Sequence, residues 1–134
     1  LLSGVAIESD DDLARATDAI HAKGPGVVMV TSYRPPSGDR VGLYVSDGRT
    51  KLAASAPVIR FERPPKGSGD LSSALFLAYY LMGDGVGVAA EKTLDALYSV
   101  LESSASGGGD LAIVAAQDAI AEPGRRFAAI APNG

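Results

Sequence analysis

The residues best suited to chemistry are Gly67-Ser68-Gly69-Asp70, a short turn that directly precedes the apolar segment 71–77. The two glycines let the backbone approach a ligand closely, and the unpaired N–H groups of a first helical turn attract an anion such as phosphate. Asp70, beside those donors, could accept the proton of a hydroxyl group that attacks the phosphate. Aspartate is also a preferred helix cap. Two interpretations therefore remain open. The pattern is half of a phosphoryl-transfer site, or it only caps the helix.

Two helices are predicted after this turn, one over 71–82 and one over 89–104, and we expect them to pack together. The residues expected on the buried face of the first are Leu71, Ala74, Leu75, Ala78, Leu81 and Met82. In the second, those expected inward are Ala90, Leu94, Leu97 and Leu101, and those expected outward are Glu91, Lys92, Asp95 and Glu102. The glycines between the helices lack the strand-turn-helix context of a dinucleotide-binding turn.

The first part of the chain predicts a helix followed by a buried strand. An amphipathic pattern over 10–23 indicates the helix, with Asp10 as its cap. The apolar, β-branched run 27–32 then predicts a strand that is buried on both faces. A helix followed so closely by such a strand is typical of a parallel sheet covered by helices.

Three further elements complete the predicted fold. Segments 41–46 and 51–61 indicate a pair of strands around Asp47-Gly48, and Pro57 limits the second strand to an edge or a break. Near the end of the chain, 111–116 is predicted as a last strand and 117–121 as a short helical turn. The alternation of helices and strands indicates an α/β protein.

Composition excludes several classes of function. A length of 134 residues with 46% apolar residues fits one globular domain. A net charge of −4 without clusters of Lys and Arg argues against a nucleic-acid partner. The lack of Cys excludes thiolate catalysis, and the single histidine, His21, argues against a Ser-His-Asp triad or a multi-histidine metal site. Since no apolar stretch reaches the roughly 18 residues of a membrane span, we expect no membrane partner and a cytoplasmic protein.

Four segments, in order along the chain, resemble the C-terminal half of a pyridoxal kinase of the ribokinase-like superfamily. These are Val30 to Ser32, Lys66 to Leu71, Glu91 to Glu102 and Val114 to Ile120. The Gly-x-Gly-Asp piece is shared by many sugar and nucleoside kinases, whereas parts of the last two segments are more particular to pyridoxal kinases. The resemblance implies a partial ribokinase-like three-layer αβα fold with parallel central strands, a strand pair and flanking helices. It also implies that residues 1–134 are the C-terminal portion of one kinase domain.

The resemblance implies ATP-dependent phosphorylation of the 5′-hydroxymethyl group of pyridoxal. Asp70 would act as the base on that hydroxyl and so contact the substrate. The backbone of Gly67, Ser68 and Gly69 would form the anion hole for the γ-phosphoryl group. These roles agree with what phosphoryl transfer needs, which is mainly alignment and charge neutralisation.

The resemblance also implies nucleotide contacts outside the glycine turn. Thr31 and Ser32, at the end of a predicted strand, match a pair near the ATP phosphates, although their hydroxyls could instead bond the turn that follows. The residues that match the segment lying along the nucleotide are Val58, Ile59, Arg60 and Phe61. Lys66 could meet a phosphate as a point charge or be a solvated linker residue.

The family's pyridoxal pocket and an Asn-x-x-Glu segment that helps to hold Mg²⁺ belong to the N-terminal half, and this chain starts just past where that segment would end. We therefore expect ATP and Mg²⁺ to serve a longer, homodimeric parent enzyme, with no metal ligand in this chain. The alternatives left open are a kinase for hydroxymethylpyrimidine, a sugar or a nucleoside, and a non-catalytic nucleotide-binding fragment. The chain has no Gly-x-x-x-x-Gly-Lys-Ser/Thr loop, which excludes a P-loop kinase.

Overall fold

The computed structural model describes residues 2–132 as four helices and three strands. The helices are α1 (Asp10–His21), α2 (Ser68–Leu81), α3 (Val86–Ser104) and α4 (Gln117–Ala121), and the strands are β1 (Val28–Tyr33), β2 (Arg40–Ser46) and β3 (Lys51–Pro57). All four predicted helices are therefore present. In this part of the chain, no helix is both long and apolar enough to cross a membrane. The predicted domain bounds also include Leu1, Asn133 and Gly134, which lie outside the described residues.

The three strands form one antiparallel sheet in the order β1-β2-β3. The strand pair predicted around Asp47-Gly48 is confirmed, because Ser46 on β2 faces Lys51 on β3. The predicted parallel arrangement is wrong for the pairs that the structure describes, since β1 also runs antiparallel to β2. Residues 34–39 alone join these two strands, whereas a parallel pair needs a crossover of about a dozen residues or more.

Two of the predicted strand segments are wrong in whole or in part. β3 does not continue to residue 61 but ends at Pro57, the residue that the sequence indicates as its limit, because proline has no N–H group with which to continue the ladder. Residues 111–116 form turns instead of a strand, and Ala116 donates to a carbonyl four residues earlier at 3.2 Å. The C-terminal segment instead reaches the sheet through a bridge between Ile130 and Ala53.

Helices cover both faces of the sheet, which is the predicted three-layer αβα arrangement in partial form. On one face, Leu13 of α1 packs with Tyr33 and Tyr44. On the other face, Leu43 packs with Leu94 of α3. The neighbours Leu43 and Tyr44 point to opposite faces because successive side chains of a strand alternate. The strands are thus held between α1 on one side and the α2-α3 pair on the other.

The helix α2 buries a different face from the one expected for the predicted helix over 71–82. The buried residues of α2 are Ser72, Leu75, Phe76 and Tyr79. Of the predicted face, Leu75 is buried, whereas Leu81 and Met82 are 73% and 79% exposed. The apolar residues of α2 lie on almost all sides of the helix, so their spacing does not indicate which face is buried.

β1 and α1 also differ from prediction. β1 buries only Val28 and Tyr33 instead of both faces, because Thr31 and Ser32 are exposed beside a cavity. The cap of α1 is Ser9 rather than Asp10. The Ser9 hydroxyl accepts from the Asp12 N–H at 3.2 Å and donates to the Asp12 carboxylate at 2.9 Å. That second bond contributes most to lowering the pKa of Asp12.

The tyrosines beneath α1 predict a loss of stability at alkaline pH. Burial and the nearby Asp10 carboxylate raise the pKa of Tyr33 to about 12, and burial also raises the pKa of Tyr44. The folded protein keeps these phenols protonated at a pH where the unfolded chain already ionises them. The free energy of unfolding should therefore fall between about pH 10 and 12, with up to about 2 kcal/mol of the fall due to Tyr33.

Urea unfolding of the wild type and of Tyr33→Phe, at steps from about pH 8 to 12, checks this expectation. The variant lacks the phenol that titrates, so its free energy of unfolding should fall less steeply with pH. Equal slopes in the two proteins would show that Tyr33 does not contribute.

Candidate functional site

The glycine turn opens α2 three residues earlier than predicted, so that Gly67 is the cap and Ser68 the first helical residue. Gly67 has a φ of 90°, which glycine adopts at little cost. Among the described residues, no side chain caps this end of α2. The first N–H groups of the helix, including those of Ser68, Gly69 and Asp70, have no intrahelical acceptor and point toward the turn. Asp70 lies in the first helical turn, and the capping alternative for it is wrong.

The side chain of Asp70 is available to a ligand. It is exposed, and its carboxylate forms no ion pair within residues 2–132. The nearby hydroxyls of Ser72 and Ser73 donate to the carbonyls of Ser68 and Gly69 at 2.7 and 3.1 Å. They therefore leave the N–H groups at the start of the helix unoccupied. A ligand at the start of α2 can therefore contact several backbone N–H donors and the carboxylate of Asp70.

β1 contains a bulge at Thr31 and Ser32, the two hydroxyl residues predicted to lie near the ATP phosphates. The register of the β1-β2 pair shifts between Thr31 and Tyr33, and Ser32 has a φ of 58°. Among the described residues other than glycine, Ser32 is the one with a positive φ, a conformation that costs about 1 kcal/mol or more. Bulges redirect side chains and are frequent beside functional sites. Here the bulge exposes both hydroxyls beside a cavity.

This cavity has a volume of about 340 Å³, which is within the usual range of small-molecule sites. It lies between the end of β1, the segment after β3, the start of α2 and one side of α3. The predicted site residues in its wall are Thr31, Ser32, Val58, Ile59, Phe61, Ser68 and Gly69. The structure thus brings Thr31 and Ser32 together with predicted site residues of the segment 58–69, which is distant from them in the sequence.

Four predicted site residues lie outside the wall of this cavity, namely Gly67, Asp70, Arg60 and Lys66. Gly67 and Asp70 directly flank the wall residues Ser68 and Gly69 in the chain, so they remain next to the cavity. Arg60 is exposed. Lys66 lines a separate cavity together with Glu62, Asp110 and their neighbours.

The wall also contains residues that were not predicted as part of a site. The sequence pattern predicts Leu94 and Leu97 only as core residues of a helix, and it assigns no role to Tyr98 or Arg34. The position of Arg34, two residues after Ser32, was the one sequence signal that could have indicated it. The others belong to one face of α3, where a buried core position and a cavity wall have the same spacing.

Two buried carboxylates of α3 were expected to face solvent and instead bind the C-terminal segment. Asp95 accepts from the Arg126 N–H at 2.9 Å and from its guanidinium at 2.6 Å. Glu91 accepts from the Ala129 N–H at 2.8 Å and pairs with Arg125. The amphipathic pattern of α3 predicts charged residues on the solvent side, and residues 125–129 cover the part of that side that contains Glu91 and Asp95.

The same C-terminal segment holds a wall residue of the cavity. The guanidinium of Arg126 lies 5.3 Å from the centre of the Tyr98 ring. The Phe127 ring packs edge-on against Tyr98, with 5.0 Å between ring centres. Such cation-π and edge-to-face contacts favour one orientation of the ring. The C-terminal segment therefore fixes part of the cavity wall without lining it.

Within residues 2–132, no three His, Cys, Asp or Glu side chains form a group that could hold a metal ion.

The chain is similar in sequence to known pyridoxal kinases. Pyridoxal kinase PdxY of Paraburkholderia phymatum is 38% identical over 125 residues, which are 91% of this chain and 44% of that protein. The predicted resemblance to pyridoxal kinases is confirmed. The chain spans less than half the length of the pyridoxal kinase relatives that it matches, 44% and 46% in two of them. No protein-family model matches the chain.

Solved structures confirm the fold. Pyridoxal kinase from Trypanosoma brucei has a TM-score of 0.80 at 21% identity, covering 96% of this chain and 47% of that one. The PdxK protein of Plasmodium falciparum, crystallised with AMP-PNP and PL, has a TM-score of 0.74 at 25% identity, covering 95% of this chain and 44% of that one. The chain therefore has part of the ribokinase-like α/β fold of these kinases.

Proposed function

We propose that this chain is the C-terminal half of a pyridoxal kinase that transfers the γ-phosphoryl group of ATP to the 5′-hydroxymethyl group of pyridoxal. One observation carries the proposal: the uncapped start of α2, with Asp70 in its first turn, adjoins a cavity bordered by Thr31 and Ser32. Phosphate-binding donors and a free carboxylate thus meet at one place. The similarity to a pyridoxal kinase over 91% of the chain supports the choice of substrate.

In this proposal, the start of α2 carries out the phosphate chemistry. The N–H groups of Gly67, Ser68 and Gly69 donate to oxygens of the γ-phosphoryl group, and the helix holds them in place before the reaction begins. Asp70 accepts the proton of the substrate hydroxyl while the new O–P bond forms and the bond to ADP breaks. Asp70 is suited to this because no cation in the described chain neutralises its carboxylate.

The cavity beside α2 would hold the nucleotide. The exposed hydroxyls of Thr31 and Ser32 are donors for its phosphates, and the apolar wall formed by Val58, Ile59 and Phe61 offers a surface for the base. Arg60 and Lys66, which lie outside the wall, would contact the nucleotide only where it extends from the cavity. For Lys66 the nearby Glu62 and Asp110 offset part of its charge.

The rest of the active site would come from outside this chain. The described residues do not form a metal site, and we propose that Mg²⁺ and the pyridoxal ring are held mainly by the N-terminal half of the parent protein. A cytoplasmic homodimer remains our prediction for that protein. When bound, Mg²⁺ would neutralise phosphate charge.

A substrate competition experiment on the complete protein tests the proposal. In a coupled assay with ATP, we expect turnover with pyridoxal and pyridoxine, and little with ribose, adenosine or hydroxymethylpyrimidine. Kinases that share this anion hole differ in their choice of substrate, which depends mostly on residues outside this chain. An assay of the complete protein therefore distinguishes them. Turnover confined to a sugar, a nucleoside or the pyrimidine would overturn the assignment to pyridoxal.

A further inference from the structure

We propose that Arg34 binds the polyphosphate of the nucleotide and is a further phosphate-binding residue of the site. The proposal rests on the proposed function and adds to it a residue that neither the glycine turn nor the Thr31-Ser32 pair includes. It is carried by the charge of the cavity wall, by the free guanidinium and by the way the chain holds this residue.

Among the described residues, Arg34 is the one charged residue of the cavity wall. All other residues of the wall are apolar, glycine, or carry a hydroxyl group. A positive charge in such a wall attracts an anion, and no carboxylate of the wall competes for it. An uncharged ligand would gain little from it, so the cavity is suited to a ligand with an apolar part and an anionic part.

The guanidinium of Arg34 is also free. Within the described part of the chain it forms no hydrogen bond or ion pair, whereas Arg40 binds Ser55 and Arg126 binds Asp95. Arg49 and Arg60 likewise have no such partner, but neither lies in the cavity wall. Arg34 therefore combines an available cation with a place in the cavity.

The backbone around Arg34 limits how far this residue can move. On one side, Tyr33 is buried and its hydroxyl donates to Asp10 at 3.2 Å. On the other side, Pro35 and Pro36 restrict the backbone, and Arg34 itself is restricted as the residue before a proline. Ser32 and Arg34 flank the buried tyrosine and both line the cavity. Binding would thus order mainly the side chain.

Arginine suits a polyphosphate because its planar guanidinium can donate two parallel hydrogen bonds to phosphate oxygens. The same chemistry would fit the phosphate of pyridoxal 5′-phosphate. We favour the nucleotide because the hydroxyls of Thr31 and Ser32, on the same strand end, line the cavity with Arg34, whereas Asp70 is outside its wall. The two sources are separated by the choice of ligands in the test.

Calorimetry on the complete protein tests the proposal with three ligands: ADP, adenosine and pyridoxal 5′-phosphate. For Arg34→Gln we expect the Kd of ADP to rise about tenfold, with the Kd values of adenosine and pyridoxal 5′-phosphate unchanged within about twofold. Arg34→Lys should recover part of the loss because it keeps the charge but not the fork of donors. The matched control is Arg49→Gln, an exposed arginine in the β2-β3 turn outside the cavity wall, which should leave all three values unchanged.

Each other outcome contradicts the proposal in a distinguishable way. An unchanged Kd of ADP means that Arg34 does not bind the polyphosphate. Equal weakening of ADP and adenosine points to altered packing of the cavity, and weakening of pyridoxal 5′-phosphate alone assigns Arg34 to the substrate side. If the wild-type protein binds neither ADP nor adenosine, the proposed function fails, and the inference about Arg34 fails with it.

Discussion

The substitution Asp70→Asn in the complete protein is expected to lower kcat for pyridoxal phosphorylation by about 10² to 10⁴, the usual effect of a general base. Asparagine has nearly the same size and can still lie in the first turn of α2, but it cannot accept the hydroxyl proton. The KM for ATP should change little, because Asp70 lies outside the cavity wall. A steady-state assay with both substrates varied measures these effects.

The matched control for this variant is Asp11→Asn. Asp11 is also an exposed aspartate in the first turn of a helix, here α1, so either substitution removes a similar favourable interaction with the helix dipole. Both variants should lose about 0.5 kcal/mol of stability, and Asp11→Asn should keep full activity. If kcat survives in Asp70→Asn, or falls equally in the control, Asp70 is not the base.

The substitution Asp95→Ala is expected to lower the free energy of unfolding by about 3 kcal/mol. The Asp95 residue is 4% exposed, and its carboxylate accepts both the N–H and the guanidinium of Arg126. Its loss leaves donors of the C-terminal segment without their partner and opens space beside Gly124, whose backbone packs against the carboxylate. Removing one member of a buried ion pair typically costs about 3 to 5 kcal/mol, and the half-exposed Arg126 places this pair at the lower end.

Urea unfolding measures this effect, and the chain offers a close control. Glu102 also pairs with Arg126, at 3.6 Å, but its side chain is 51% exposed. Glu102→Ala should therefore change the free energy of unfolding by about 0.5 kcal/mol or less. If the two substitutions have equal effects, the Asp95 contact does not hold the C-terminal segment. In the complete protein, Asp95→Ala should also weaken nucleotide binding, because Arg126 and Phe127 orient Tyr98 in the cavity wall.

Two of the errors of prediction on this chain share a physical cause. Residues 111–116 have the composition of a strand, yet the edge of β3 is bridged by Ile130 from the C-terminal segment instead. Glu91 and Asp95 have the spacing of a solvent-facing stripe, but the chain returns over them after residue 124. In both cases a contact between segments distant in the sequence outweighed a local preference. A local sequence pattern contains no information on such contacts.

The sequence by itself determined the elements whose cause is local. Apolar spacing predicts α1 and α3, a small-residue turn predicts the start of α2, and the Asp47-Gly48 turn predicts the β2-β3 pair, because neighbouring residues create each of these signals. The tertiary structure alone decided the antiparallel sheet, the bulge at Ser32, the cavity and the place of Arg34 in its wall. These features depend on which distant segments pack together, and packing selects among arrangements that the local pattern leaves equal.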